Sequence, residues 1–187
     1  MRIEEEIKLD YSDVLFRPKR STLKSRKDVD LNRKYTFKHS RSSWKGIPII
    51  ASNMDGVGEI DVAKKLSSHK LMTALTKQHD INQIGTIYKK NIFFDSIALS
   101  CGTSKDSYNR LNSILKKYPK FKFICIDVAN GYSENFSNFV SEVRKKYPKK
   151  TIIAGNVVTA DMTQELVLSG ADLSLIHISE PTRPLHI

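Results

Sequence analysis

Six short runs rich in Ile, Val, Leu, Phe or Ala recur along the chain and constrain its fold more than any other feature. They are IPIIASNM, LMTALTK, DSIALSCG, KFICIDVAN, TIIAGNVV and ADLSLI, beginning near residues 47, 71, 95, 122, 151 and 171. The spacing from one run to the next is 24, 24, 27, 29 and 20 residues. Stretches with helical periodicity fill the intervals. Tyr108, Leu111, Ile114, Leu115 and Tyr118 form one apolar stripe, and Phe136, Phe139, Val140, Val143 and Tyr147 form another. Each stripe is opposed by Lys, Arg, Asn and Ser, as on a helix with one face against a core. Continuous apolar strands alternating with amphipathic helices predict parallel strands covered on both faces.

Two α/β architectures satisfy that pattern, an open doubly wound sheet and a (β/α)8 TIM barrel. An open sheet of the dinucleotide-binding kind has a glycine-rich phosphate turn after its first strand, and SNMDGVGE lacks that spacing. A barrel places functional polar residues at the C-terminal ends of many strands, because that face carries the active site. Such residues recur here: Asn53 and Asp55 after the first run, Thr76 and Lys77 after the second, Ser100 and Thr103 at the third, Asp127 and Asn130 at the fourth, and Asn156 at the fifth. Asn, Asp, Ser and Thr are ordinary turn formers, but Lys77 is not, and five ends in succession favour the barrel. The runs supply about five βα units and the start of a sixth strand, so the barrel is read as incomplete.

The rest of the composition narrows function by exclusion. Net charge is +11, and the first 45 residues hold 13 Lys or Arg against 7 Asp or Glu, about half the excess. RPKRSTLKSRK lacks the interleaved aromatics of a base-stacking platform, so the positive charge suits phosphorylated small molecules better than nucleic acid, with a solvated lysine-rich surface the default for most of these residues. No apolar run nears the ~20 residues needed to cross a bilayer, and MRIEEEIKLD is unlike a signal peptide. A cytoplasmic protein with no membrane partner is expected. Cys101 and Cys125 share no metal-ligand spacing and are read as small core residues.

DVLFRPKRSTLKSR, GIPIIASNMDGVG, FICIDVANGYSE, AGNVVT and LVLSGAD resemble the GMP reductases of the IMP dehydrogenase/GMP reductase barrel superfamily, collinearly from about Met1 to Asp172. IMP dehydrogenases carry a regulatory insertion after the second strand, whereas a short helix is expected between Lys77 and the third strand here. The resemblance implies NADPH-dependent reductive deamination of GMP to IMP and ammonia. In that chemistry a cysteine thiolate attacks C2 of the purine, ammonia leaves, and hydride from the cofactor resolves the intermediate. By the same resemblance Ser25, Arg26, Lys77, Asp127, Val128, Ala129, Asn130 and Gly131 contact NADPH. Lys77 and Thr103 serve catalysis, and Asn53, Asp55, Gly155 and Asn156 floor the nucleotide pocket. Potassium as a monovalent cation and a homotetramer are implied for the complete enzyme. Two local departures stand out: Gly56 replaces the usual Thr, and ALTKQHD replaces a run in which histidine-type side chains flank the lysine.

After LSGAD the resemblance calls for an apolar strand and a glycine-rich loop bearing the nucleophilic cysteine and the cation. The chain has LSLIHISEPTRPLHI instead, without glycine or cysteine. This gives a basic segment over 1–45 packing on the barrel and adding to the cofactor site, a partial barrel over 46–172, and a tail over 173–187. SLIHISEPTRP is similar to a translated sequencing-adapter read-through, so the tail is expected to be foreign, its His177, Glu180 and His186 to have no role, and the chain as given to be inactive. A truncated IMP dehydrogenase and a non-catalytic nucleotide-binding module are the alternatives. Sequencing the source DNA across the codons for Leu168 to Ile187 checks the expectation. A reading frame continuing past Asp172 into a glycine-rich, cysteine-bearing loop is the expected result, and confirmation of the tail and its stop codon would contradict it.

Overall fold

The computed structural model describes Leu9, residues 11–89 and residues 94–176. The chain divides into two compact units with the boundary between Asp30 and Leu31. The first contains 3-10 turns at Tyr11–Asp13 and Arg26–Asp28. The second opens with an antiparallel hairpin, β1 (Arg33–Thr36) and β2 (Ser43–Gly46), paired from Arg33 with Gly46 to Thr36 with Ser43. Residues 31–45 therefore belong with the sheet rather than with the basic segment that precedes them.

Six parallel strands follow in sequential order: β3 (Ile50–Ala51), β4 (Met72–Leu75), β5 (Ile97–Cys101), β6 (Phe123–Asp127), β7 (Thr151–Gly155) and β8 (Leu173–Leu175). The intervening helices are α1 (Ile60–Ser68), α2 (Ile81–Lys89), α3 (Lys105–Lys117), α4 (Glu134–Lys146) and α5 (Ala160–Leu168). Strictly sequential order is the signature of the expected partial barrel, since a doubly wound sheet reverses direction at a switch point. β8 pairs Leu173, Ser174 and Leu175 with Ile153, Ala154 and Gly155. His177, Glu180 and His186 lie outside the described residues.

Both faces of β4 to β7 are buried, and the period of two sorts their side chains into two cores. Leu75, Ile97, Leu99, Ile124, Ile126, Ile152 and Ala154 meet the helices, where Leu111, Ile114, Val140 and Val143 are fully buried. Ala74, Ala98, Phe123, Cys125 and Ile153 form the other core with Phe37 and Trp44 of the hairpin region. Phe37 stands edge-on to Phe123 at 5.6 Å, so the hairpin plugs the N-terminal end of the sheet. The hydroxyls of Ser40 and Ser42 complete the plug by meeting Thr151 Oγ1 at 3.0 and 2.8 Å.

The starts of three helices are fixed by side-chain caps. Ser104, Ser133 and Thr159 accept from the backbone N–H groups of Ser107, Phe136 and Met162 at the starts of α3, α4 and α5. The basic last turn of α4 ends in a buried ion pair, Arg144 Nη2 to Asp172 Oδ2 at 2.6 Å, with the Asp172 side chain 0 % exposed. Asp172 also accepts from the backbone N–H of His39 (2.8 Å), Ser40 (3.3 Å) and Ile152 (3.1 Å). Removing one partner of such a pair leaves a charge in a site that no longer balances it. Asp172→Ala should cost about 3–5 kcal/mol of unfolding free energy by chemical denaturation. A loss below about 1 kcal/mol, the range of an exposed pair, would contradict this role.

Both cysteines are buried in these cores, as expected. Burial pushes the Cys101 thiol up to about 12, against an opposing pull from Arg110. Burial, reinforced by the Asp127 carboxylate, pushes Cys125 to about 12 as well. Each folded value lies above the ordinary 9.0, so the neutral thiol is the form that folding favours. Their contribution to stability is complete below the unfolded thiol value and is lost as pH rises from 9.0 toward about 12. Native protein at pH 8 should leave both thiols unreacted with a disulfide reagent and release two equivalents only on denaturation; fast reaction of either when folded would refute their assignment as inert core residues.

Candidate functional site

The polar residues singled out at the strand ends meet at the C-terminal rim of the second unit. A cleft of ≈ 480 Å³ is lined by Lys77, Gly102, Thr103, Ser104, Asp127, Val128 and Ala129. A narrower recess of ≈ 170 Å³ is lined by Asn53, Asp55, Thr76, Lys77, Gln78, Ser100, Cys101 and Asp127. Lys77 and Asp127 border both. The alternation of strand side chains explains the convergence: Phe123, Cys125 and Asp127 share one face of β6, and Ala98 and Ser100 share the matching face of β5. Apolar residues low on that face become polar ones at its C-terminal end.

Asp127 is held by Asn53, whose Nδ2 donates to its Oδ2 at 2.8 Å across 74 residues of sequence. That bond joins the loop after β3 to the end of β6. The β3 loop is packed tightly where it passes β4. A Cβ on Gly58 would stand 2.6 Å from the Ala74 carbonyl oxygen and 3.0 Å from the Thr76 nitrogen, so glycine is required there. Gly58 O in turn accepts from Thr76 N at 2.9 Å, immediately before Lys77.

The loop after β6 is pinned to β7 by main-chain bonds. Val128 N donates to Gly155 O at 2.9 Å, Asn156 N to Val128 O at 3.0 Å, and Gly131 N to Asn156 O at 3.0 Å. Gly131 lies so close to β7 that a Cβ would come 2.7 Å from Asn156 O. Gly155 and Asn156 thus reach this loop through their backbone. Asn130 Oδ1 accepts from Tyr132 N, closing a local turn. Tyr132 adds a link that residue type alone did not flag: its hydroxyl accepts from Val158 N (2.8 Å) and Thr159 N (3.0 Å), and hydrogen bonding, first with the Thr159 side chain and then with the Val158 backbone, lowers its proton affinity.

Gly102 and Ser104, also outside the expected set, flank Thr103 and shape its loop. Ser107 Oγ accepts from Gly102 N at 2.9 Å, and Ser104 caps α3, so the helix N-terminus opens beside Thr103. The signal for Ser104 was present in the sequence as a capping serine. Ser25 and Arg26 belong to the first unit. Ser25 Oγ accepts from Lys27 N at 3.2 Å and Ser25 N donates to Asp28 Oδ2 at 3.0 Å, a capping box that leaves Arg26 exposed.

Among the described residues no group of three or more His, Cys, Asp or Glu is placed to hold a metal ion. No helix among them is long and apolar enough to cross a membrane. The rim offers instead a carboxylate, an ammonium group, hydroxyls and backbone groups around an open cleft, a donor and acceptor set suited to a polar small molecule.

Several known proteins are similar to this chain in sequence or fold. The GMP reductase of Yersinia enterocolitica is 49% identical over 180 residues, which is 95% of this chain and 52% of that protein. The GMP reductase of Caenorhabditis elegans is 48% identical over 179 residues, 95% of this chain and 50% of that protein. The GMP reductase of Citrobacter koseri is 50% identical over 181 residues, 95% of this chain and 52% of that protein. The chain spans about half the length of the curated relatives it matches. In fold it is similar to an inosine 5' monophosphate dehydrogenase from Legionella pneumophila, with a TM-score of 0.69 at 23% identity over 87% of this chain and 48% of that one. Residues 8–179 match the model of the IMP dehydrogenase / GMP reductase domain. With that match spanning the hairpin, the strands and the loops that meet at the cleft, the chain belongs to the IMP dehydrogenase / GMP reductase domain family.

Proposed function

We propose that the protein catalyses NADPH-dependent reductive deamination of GMP to IMP and ammonia, and that this chain supplies the cofactor side of the site. One observation carries the reading: Lys77, Thr103 and Asp127–Ala129 line a single cleft in a chain about half identical to proteins named GMP reductase. The overall reaction consumes one hydride and two protons and releases ammonium, so the site must bind an anionic nucleotide, orient a reductant and deliver protons. NADPH, when bound, supplies the hydride.

The residues of the cleft fit that cofactor in chemical type. Asp127, fixed by Asn53, accepts hydrogen bonds from a ribose or carboxamide group, and the backbone of Val128 and Ala129 forms the adjoining wall. In this reading the Lys77 ammonium, which borders the same cleft and recess as Asp127, stabilises charge that develops at the reacting centre. The Thr103 hydroxyl, on a loop shaped by Ser107 and Ser104, relays a proton to the departing ammonia. Asn130 and Gly131 continue the cofactor loop, while Asn53, Asp55, Gly155 and Asn156 bound the nucleotide side. Ser25 and Arg26 contact the cofactor, the latter as a charge partner for its phosphates.

The nucleophilic cysteine is not Cys101 or Cys125, whose buried neutral thiols lack the electropositive, exposed setting a thiolate needs. No residue of this chain is assigned to the nucleophile or to the potassium ion. A homotetramer and a cytoplasmic location complete the reading.

The test uses the complete enzyme, expressed from the longer reading frame. GMP-dependent oxidation of NADPH is expected, and Lys77→Ala should lower kcat by about a hundredfold or more while shifting the unfolding midpoint little. IMP-dependent reduction of NAD without GMP activity would make the protein a dehydrogenase instead. Saturable binding of NADPH and GMP without turnover would make it a binding module, and an unchanged Lys77→Ala rate would remove that residue from the site.

A further inference from the structure

The Lys77 loop is held by a side chain that neither the cleft lining nor the sequence motifs point to. Lys77, Gln78 and His79 connect β4 to α2, whose start is capped by Asp80 Oδ1 accepting from Asn82 N (2.7 Å) and Gln83 N (2.8 Å). His79 is buried, although it lies between two exposed residues and the exposed Asp80. Its Nε2 lies 3.2 Å from Gly58 O and 3.3 Å from Glu59 Oε2. Both neighbours are acceptors, so Nε2 carries the proton. Arg110 on α3 takes the other side of the same residue: Nε and Nη2 both donate to the His79 carbonyl oxygen, at 2.9 and 2.5 Å, and Nη1 donates to Ser100 O at 3.4 Å.

We propose that Arg110 is a positioning residue for Lys77, clamping the His79 carbonyl so that the lysine loop keeps a fixed register against the β5 end and the Thr103 loop. The proposal rests on the reductase reading of the site. Its physical basis is the path of the bonds. Thr76 N to Gly58 O fixes the loop on one side of Lys77, and the Arg110 fork fixes it two residues later on the other. Arg110 reaches the loop from a separate helix and also donates to the Ser100 carbonyl on β5, so one planar group anchors the lysine loop to the neighbouring strand. A lysine at this position would keep the charge but lose the fork.

The test compares Arg110→Ala, Arg110→Lys, Lys77→Ala and the double variant Lys77→Ala/Arg110→Ala in the complete enzyme. Arg110→Ala should lower kcat on the order of tenfold to a hundredfold, with KM for GMP changed less than about threefold, and Arg110→Lys should recover part of the rate. Added to Lys77→Ala, the Arg110→Ala change should lower kcat by no more than about twofold, because a misplaced lysine matters only when the lysine is present. Multiplicative losses, or an unchanged kcat in Arg110→Ala, would overturn the proposal. If Arg110→Ala does not fold, Arg110→Lys alone and on the Lys77→Ala background gives the same comparison. If the parent enzyme oxidises no NADPH with GMP, the reaction reading fails, and positioning is read from amide exchange instead. Peptides covering Lys77 to Asp80 should then exchange on the order of tenfold faster in the Arg110 variant than in the parent protein, and equal rates would overturn it.

Discussion

The carboxylate of Asp172 ties together the hairpin turn, a strand and a helix that are distant in sequence. It sits at the end of the last helix-to-strand turn, with a side chain that is 0 % exposed, and takes hydrogen bonds from the hairpin turn, from β7 and from the guanidinium of Arg144 on α4. Arg144 then bonds the carbonyls of Gly170, Lys150 and Pro148. A charge in so dry a setting is tolerated only because every contact is charge-assisted or well directed. The consequence is architectural: the hairpin plug, the fourth helix and the last two strands are tied at the N-terminal end of the sheet, opposite the cleft. Stability and function are thereby placed at different ends, as the barrel fold generally requires.

At the functional end the devices are different. Loops there are held by single side chains bonding to main-chain groups across elements: Asn53 to Asp127, Arg110 to the His79 carbonyl, and Tyr132 to the start of α5. Glycine appears where two backbones touch, at Gly58 against β4 and at Gly131 against the loop after β7. These contacts hold the loops without covering the cleft, which leaves Lys77, Thr103 and Ala129 accessible to a ligand. Preorganisation of that kind is what the proposed reaction would draw on.

Parts of this were legible before any coordinates. Runs such as FICI and IIAG are apolar over four consecutive residues and lie between amphipathic stretches, and they became most of β6 and β7, buried on both faces. Polar residues at the strand ends were the second readable signal, and Asn53, Asp55, Lys77, Thr103 and Asp127 did gather at one rim. The hairpin was not anticipated, because RKYT and SWKG are short and largely exposed and only their pairing makes them strands. Nor were the supports of the site: Arg110 reads in sequence as one more cation on a polar helix face, and His79 as a loop residue in ALTKQHD.

What the sequence by itself determined is the order and type of its elements and the position along the chain of the residues that carry chemistry. Both follow from local physics, in the period of apolar side chains, the capping serines and threonine, and the motifs shared with one family. Which side chains meet was decided only by the tertiary structure. The Asn53–Asp127 bond crosses 74 residues, and the Arg110–His79 clamp crosses 31. Such pairings depend on how the strands curl and how each helix lies over its neighbour, and no periodicity along one segment records the distance to another.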